Sequence, residues 1–269
     1  MKEFVVERGV YDFAHKLTDP REDALSRHMH NAYEILYLAR GEAEYVIEGA
    51  VYRLRPRTLL LIRPRRFHYL RPLQGNVYER FVIHFPDGRI PEKLRTFVEE
   101  APEIVRVRED SIPARLFSTW QSAEEKYSDE DLAVLLETAL PQILLGLKYG
   151  AEEPVLPRLA NPTLDAILRY IDEHPDEALS AADLSRRFFV STSWIVHGFR
   201  EHLGITLMQY VNRKRILYAE EKIRAGAAPT AVAKACHYDS YVTFYRQFKK
   251  YLGYPPNEAT ASFVSKPTA

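Results

Sequence analysis

Residues 179–223 read LSAADLSRRFFVSTSWIVHGFREHLGITLMQYVNRKRILYAEEKI, and residues 231–256 read AVAKACHYDSYVTFYRQFKKYLGYPP. Ser180 is placed to cap a helix that carries Leu184 and ends near Arg187. Phe188-Phe189-Val190 makes a turn, and Ser191 caps a helix over 192–203 whose apolar face is Ile195, Phe199 and Leu203. Ser193, Val196, His197 and Arg200 are left on its other face, and Gly204 stops it. A long helix over about 206–225 runs to Gly226. A second short pair follows over about 230–235 and 240–251, with Phe244 and Phe248 inward and Tyr241, Val242, Tyr245, Arg246, Lys249 and Lys250 outward. Gly253 and Pro255-Pro256 end that pair, and a short final helix from about Asn257 is expected. With an opening helix over 162–174, which carries Leu164, Ile167, Leu168 and Ile171 on one face, the segment reads as seven helices and no strand.

Helix, tight turn and helix therefore occur twice, separated by a rigid spacer. Pairs of this kind set their second helix in the DNA major groove. A spacer of roughly 20 residues is about 30 Å long, close to one turn of B-DNA. The pattern alone leaves a plain helical bundle with solvated polar faces open. The matching residues decide: Leu184-Ser185; Ser191, Trp194, Ile195 and Phe199; Tyr210, Arg215 and Ala219; and Phe244, Phe248, Lys249, Lys250, Gly253 and Pro256. Over Leu179–Ala259 these spacings resemble the DNA-binding domain of the AraC/XylS family of regulators. His237 stands where that family has Gly, His197 where it has Arg, and Pro229 where it has Ile; Gly198 follows His197. The resemblance implies base-edge contacts from Ser193, Val196, His197 and Arg200 in the first unit and from Tyr241, Val242, Tyr245 and Arg246 in the second. Arg246 is the strongest candidate, because a guanidinium bonds guanine O6 and N7 bidentately. Lys249 belongs with the DNA contacts, and with Lys250, Arg213 and Lys214 is expected at phosphates.

Toward the N-terminus the periodicity changes. AYEILYLA, EYVIEG, VYRLR, TLLLIRP and YERFVIHF are short runs rich in Tyr, Ile, Val and Leu, punctuated by Gly41, Gly49, Pro56, Pro64 and Pro86. Strands at about ten-residue spacing predict a barrel or sandwich. His28-x-His30-x3-Glu34-x6-Gly41 opens it and Pro64-x3-His68 follows; His28 and His30 share a strand face. This spacing resembles the two motifs of the cupin superfamily, with Arg57 in place of the second Gly, and the effector-binding cupin domain of sugar-responsive AraC-type regulators. It implies effector contacts from His28, His30, Glu34 and His68, with Tyr37 and Tyr45 nearby. A pocket without metal is favoured over a metal site; if a divalent ion is present, His28, His30, Glu34 and His68 are its ligands. His15 and His84 read as ordinary surface or core residues.

Between these regions, 113–127 and 129–150 read as helices. In the second, Leu132, Leu136, Ile143 and Leu147 form an apolar stripe, interrupted by Pro141 and Gly146. The stripe faces either the barrel or a second subunit, and a homodimer through it is predicted. AEEPVLPRLANP, with three prolines, reads as a linker. The fold class expected is α+β multidomain: a cupin-like effector-binding barrel over 1–112, dimerisation helices over 113–150, a linker over 151–161, and an all-α DNA-binding domain with two helix-turn-helix units over 162–269.

Composition agrees. A hydrophobic fraction of 46% fills sizeable cores. Lys+Arg and Asp+Glu both total 37, which argues against indiscriminate nucleic-acid binding. From Ala160 onward 14 basic residues face 11 acidic ones, the sign a DNA-binding half requires. One cysteine, Cys236, excludes a disulfide framework and a multi-cysteine zinc site. No leader peptide and no apolar run of 18 residues is apparent, so a cytoplasmic protein without a membrane partner is expected. The function expected is that of a non-enzymatic transcription regulator without a required cofactor. Its partners would be double-stranded promoter DNA, RNA polymerase and a small-molecule effector, a carbohydrate being the candidate. The alternative is a metal-dependent cupin oxygenase or isomerase with a helical appendage.

Overall fold

A computed structural model describes residues 2–8, 11–18, 27–73, 77–120, 126–158 and 161–259. The alternating runs of the N-terminal part form two antiparallel sheets. The larger holds β1 (Lys2–Arg8), β2 (Tyr11–Thr18), β3 (Tyr33–Arg40), β6 (Thr58–Ile62), β8 (Tyr78–Phe85), β9 (Ile104–Val107) and β10 (Ala151–Pro154), in the order β1-β2-β8-β3-β6-β9-β10. The smaller holds β4 (Ala43–Ile47), β5 (Ala50–Leu54) and β7 (His68–Pro72), in the order β5-β4-β7. Leu36, Leu38, Tyr45, Ile47, Leu54, Leu60, Ile62 and Tyr78 fill the space between the sheets. All five expected strand runs are present. β1, β2, β7, β9 and β10 are additions, and β10 converts the start of the expected linker into a sheet edge paired with β9.

Three α-helices come after β8, the first before β9 and the third before β10: α1 (Arg95–Glu100), α2 (Ile112–Trp120) and α3 (Asp129–Gly150). Residues 121–125 of the expected first helix lie outside the described residues. Ser128 caps α3 by accepting from the Asp131 amide, and the helix runs unbroken through Pro141 and Gly146. Gly146 has a steric reason: a Cβ there would sit 2.3 Å from Pro113 Cδ, so only glycine lets α2 cross this closely. Leu132, Leu136, Ile143 and Leu147 are buried, and they pack with Ile35, Tyr37, Phe81 and Ile83 on the outer face of the large sheet. The stripe expected to join two subunits is thus occupied within the chain. Its apolarity makes Glu130–Gly150 long and hydrophobic enough to cross a bilayer by length and composition, but the sheet covers its inward stripe.

The C-terminal part contains α4 (Pro162–Glu173), α5 (Ala181–Phe188), α6 (Thr192–Gly198), α7 (Leu207–Arg224), α8 (Pro229–Ala235) and α9 (Tyr241–Leu252), closed by a 3-10 turn at Pro256–Glu258. The expected caps hold at Ser180 and Ser191, which accept from the Asp183 and Trp194 amides; Asn161 also accepts from the Leu164 amide, and Thr206 forms a reciprocal capping box with Gln209. After Gly198 the sixth helix changes to π winding over Phe199–Leu203. His237 takes the left-handed φ of 58° that glycine holds in the family pattern, and its ring bonds the Asp176 carbonyl.

The two parts share one core. Along β4 side chains alternate: Tyr45 and Ile47 point between the sheets, whereas Val46 points outward. Val46, Val51, Phe67, Tyr69 and Met29 pack in a single cluster with Leu164, Phe199, Leu203, Leu207 and Tyr210. The small sheet is therefore covered on both faces.

Candidate ligand centre and nucleic-acid interface

His28 sits on an isolated bridge to His68, each backbone amide donating to the other's carbonyl at 3.2 and 3.0 Å. That bridge brings the two sequence motifs together. The β3–β8 register sets Glu34 opposite His84. Glu34 is 3% exposed, and its Oε2 lies 3.2 Å from His30 Nε2, 3.2 Å from His68 Nε2, 3.0 Å from His84 Nε2 and 4.0 Å from His28 Nε2. Its other oxygen accepts from Tyr45 at 3.0 Å. Burial alone would raise the Glu34 pKa, but the His68 charge and the imidazole hydrogen bonds hold the carboxyl well below its usual range. Burial lowers His30 to about 3 despite Glu34, so this imidazole is neutral. Burial works to lower His68, but the Glu34 charge, the hydrogen bonds to Glu34 and to the Arg66 carbonyl, and the Glu48 charge together leave it raised. His30 Nδ1 faces the Ala32 carbonyl at 2.9 Å and His68 Nδ1 faces the Arg66 carbonyl at 2.8 Å. A carbonyl only accepts, so both Nδ1 atoms carry the hydrogen.

His28, His30, Glu34 and His68 lie with their ligating atoms within 4.8 Å of one another, a donor set that fits a divalent ion. Of the expected effector residues, Tyr45 joins this cluster. Tyr37 does not: three positions from Glu34 on one strand, it faces the opposite side and stacks on Phe117 at 4.5 Å among the helices. His84, read as an ordinary residue, belongs to the cluster.

Beside the cluster the barrel meets the spacer helix α7. Asn31, next to His30, donates to the Leu217 carbonyl at 2.8 Å and to Glu220 Oε2 at 2.7 Å. Glu220 is fully buried and also accepts from Arg224 at 2.7 Å and from Tyr254. Lys214, 1% exposed, donates to Glu48 Oε1 at 3.2 Å, to Asp172 Oδ1 at 3.1 Å and to the Arg65 carbonyl. Glu48 also accepts from Tyr210 at 2.6 Å and from the Phe67 amide at 2.8 Å. Gly49 beside it abuts the C-terminal part: a Cβ would stand 3.2 Å from Leu164 and 3.4 Å from His202. Lys214 is therefore a buried interdomain cation rather than a phosphate contact. Arg213 is likewise engaged, donating to the Arg27 carbonyl at 2.9 Å. An open cleft of about 380 Å³ lies at this junction, lined by Asn31, Tyr33, Arg65, Asp87, Glu221 and Arg224 among others.

The helix faces expected to meet DNA are open. Ser193, Val196, His197 and Arg200 on the first recognition helix are exposed, as are Tyr241, Val242, Tyr245, Arg246 and Lys249 on the second, while Ile195, Phe199, Phe244 and Phe248 are buried beneath them. The spacer between the units has 18 residues, about 27 Å at 1.5 Å per residue. Phe189, in the first turn, holds a left-handed φ of 54° and is 95% exposed.

Comparison with known proteins adds two matches to family models: an AraC-like ligand binding domain over residues 11–144 and a helix-turn-helix domain over residues 184–262. Among curated relatives, the transcriptional activator RhaS of Pectobacterium carotovorum is 22% identical over 248 residues, covering 88% of this chain and 89% of that protein. The arabinose operon regulatory protein of Salmonella typhimurium is 28% identical, covering 82% of this chain and 81% of its own length. Among solved structures, ToxT of Vibrio cholerae aligns over 92% of this chain and 95% of its own, with 16% identity and a TM-score of 0.40.

Proposed function

The chain belongs to the AraC family of DNA-binding transcription regulators with an N-terminal ligand-binding domain, and on that premise we propose that a small polar effector at the barrel–spacer junction sets how the two recognition helices meet promoter DNA. The observation that carries this reading is the bond from Asn31 to the spacer helix, one residue from His30 of the buried cluster. A molecule held by the cluster or by the adjoining cleft moves the loop that grips α7, and α7 fixes the separation of the recognition helices. A carbohydrate fits a cleft that sets Asn31, Arg65, Asp87, Glu221 and Arg224 beside the apolar surfaces of Tyr33 and Pro64, and one relative is named for the arabinose operon.

Base contacts fall to Ser193, Val196, His197, Arg200, Tyr241, Val242, Tyr245 and Arg246, with Lys249 at a phosphate. The regulator works in the cytoplasm with RNA polymerase as its target and performs no turnover. It dimerises through the outward face of α3, where Val134, Leu145 and Tyr149 are exposed, because the inward stripe is taken by the sheet.

Selection of bound sequences from a random duplex pool by the full chain tests the reading. A pair of half-sites of one motif should emerge, and a panel of monosaccharides should contain one that changes affinity at least about fivefold, the lower end of common coupling energies. A pool that stays random after several rounds sinks the DNA-binding assignment. A selected operator whose affinity no sugar changes sinks the carbohydrate assignment.

A further inference from the structure

Residues 155–158 cross from one sheet to the other at the end of the barrel away from the histidine cluster. The Val155 amide donates to the Ile104 carbonyl of β9 at 2.9 Å, and the Arg158 amide donates to the Val51 carbonyl of β5 at 2.7 Å. The β3–β6 ladder sets the distance: Glu34 pairs with Ile62, whereas Leu38, about 13 Å further along the strand, pairs with Thr58. Beside Thr58 this crossing borders an open cleft of about 560 Å³, lined by Arg53, Arg55, Arg106 and Arg158. Glu153 is the one acidic residue among the described residues of its wall.

Sheet pairing and the crossing gather these four arginines. Arg53 follows Val51 by two residues on β5, Arg55 opens the turn to Thr58, and Arg106 of β9 pairs with Thr58. Their charges are poorly neutralised. Arg55, Arg106 and Arg158 meet Glu42, Glu152 and Glu44 at 3.8 Å, outside hydrogen-bond length. Arg53 bonds Glu42 through one Nη, but its Nε and that of Arg106 are buried with no hydrogen-bond partner. Buried donors are rarely left so.

We propose that this cleft binds a small phosphorylated molecule, and that its occupancy ties the crossing segment to the barrel. Guanidinium forks match phosphate oxygens bidentately, and an ionised acceptor forms their strongest hydrogen bonds. Pro154, Val155 and Leu156, the last 77% exposed, offer an apolar wall to an organic group. The volume lies within the usual range for small-molecule sites. An anion shared by Arg158 and Arg106 joins the segment that leads into α4 to the large sheet. The site is a second input, separate from the junction at Asn31, and it does not depend on the effector assigned there.

Calorimetric titration of the full-length chain with pyrophosphate at constant ionic strength is the test. One anion per chain should bind. Arg106→Gln and Arg158→Gln should each weaken it at least about 10-fold, while the melting temperature of the ligand-free chain stays unchanged. Lys249→Ala, on the recognition helix α9, should leave pyrophosphate affinity unaltered. The unmodified chain gives a second readout: at roughly ten times Kd, trypsin cleavage after Arg158 should slow about tenfold, since only about one chain in eleven remains free. No binding at millimolar pyrophosphate overturns the proposal. So does binding that survives both arginine variants but falls in Lys249→Ala, which would put the anion on the face meant for DNA. Cleavage after Arg158 that saturating pyrophosphate does not slow refutes the tie between ligand and crossing segment.

Discussion

Replacing Lys214 by Met isolates the energetics of the interdomain contact, because it keeps the side-chain stem and deletes the ammonium. Lys214 is 1% exposed, and it loses bonds to Glu48, Asp172 and the Arg65 carbonyl together. Removing one member of a buried ion pair costs roughly 3–5 kcal/mol, mainly because the partner charge is stranded. Glu48 keeps the Tyr210 hydroxyl at 2.6 Å and the Phe67 amide at 2.8 Å, so the loss falls at the lower end, about 3 kcal/mol. Glu48→Gln combined with Lys214→Met removes both buried charges and leaves only Asp172, whose side chain is 31% accessible, without its cation, and the pair should cost about 2 kcal/mol less than the two single losses added. Urea unfolding of the four proteins at pH 7 measures this cycle.

The pH trend has a definite sign. Burial would raise the Glu48 pKa, but Lys214, Arg66, Tyr210 and the Phe67 amide hold it below the usual carboxylate value. The unfolded state therefore binds more protons in acid. The contribution is complete above the unfolded value of about 4.3 and is lost as pH falls through the folded one. Lys214→Met should flatten that acid limb. A single-mutant loss under about 1 kcal/mol, or strict additivity, refutes the assignment of Lys214 as a buried latch.

Arg246→Ala should cost about 1–3 kcal/mol on a selected operator and relax one base position, whereas Lys249→Ala should weaken all sequences alike and reduce the salt slope by about one. At pH 7.5 His197→Ala should cost less than Arg246→Ala; band-shift titration at two salt concentrations compares all three, and the reverse order would assign the dominant unit to α6. Val134→Glu with Leu145→Glu should yield monomers in sedimentation while Tm stays nearly constant, since both residues are exposed; a persisting dimer rejects this face of α3. Phe189→Asn should raise stability by about 0.5–1 kcal/mol, because Asn tolerates the left-handed backbone and the phenyl ring, 95% exposed, gives up little packing; an unchanged melting curve refutes the strain argument.

Local chemistry made the C-terminal helices legible. Ser180, Ser191, Thr206 and Gly253 act within a turn of where they stand, so caps and stops fall within a few residues of their expected places. His28, His30, Glu34 and His68 were legible from strand parity and motif spacing, and parity held a warning against Tyr37. His84 was not legible, because it reaches Glu34 only through the pairing of β8 with β3, 50 residues apart. The stripe on α3 could be seen but not its partner: Leu136 and Ile143 demand an apolar cover, and nothing local says whether a sheet or another subunit supplies it. Lys214 reads as a surface cation in an amphipathic helix, and its buried counter-charge lies 166 residues away.

The double-sided burial of the small sheet bears on how such regulators can be recombined. Fusing this barrel to a foreign helix-turn-helix domain at residues 155–160 respects the chain path, yet it leaves Val46, Val51, Phe67 and Tyr69 facing a surface that never co-evolved with them. A chimaera built by sequence boundary alone would expose that apolar patch and aggregate. A workable graft has to carry α4 and the first half of α7 along with the barrel, so the exchangeable unit of this protein is larger than its sensing domain.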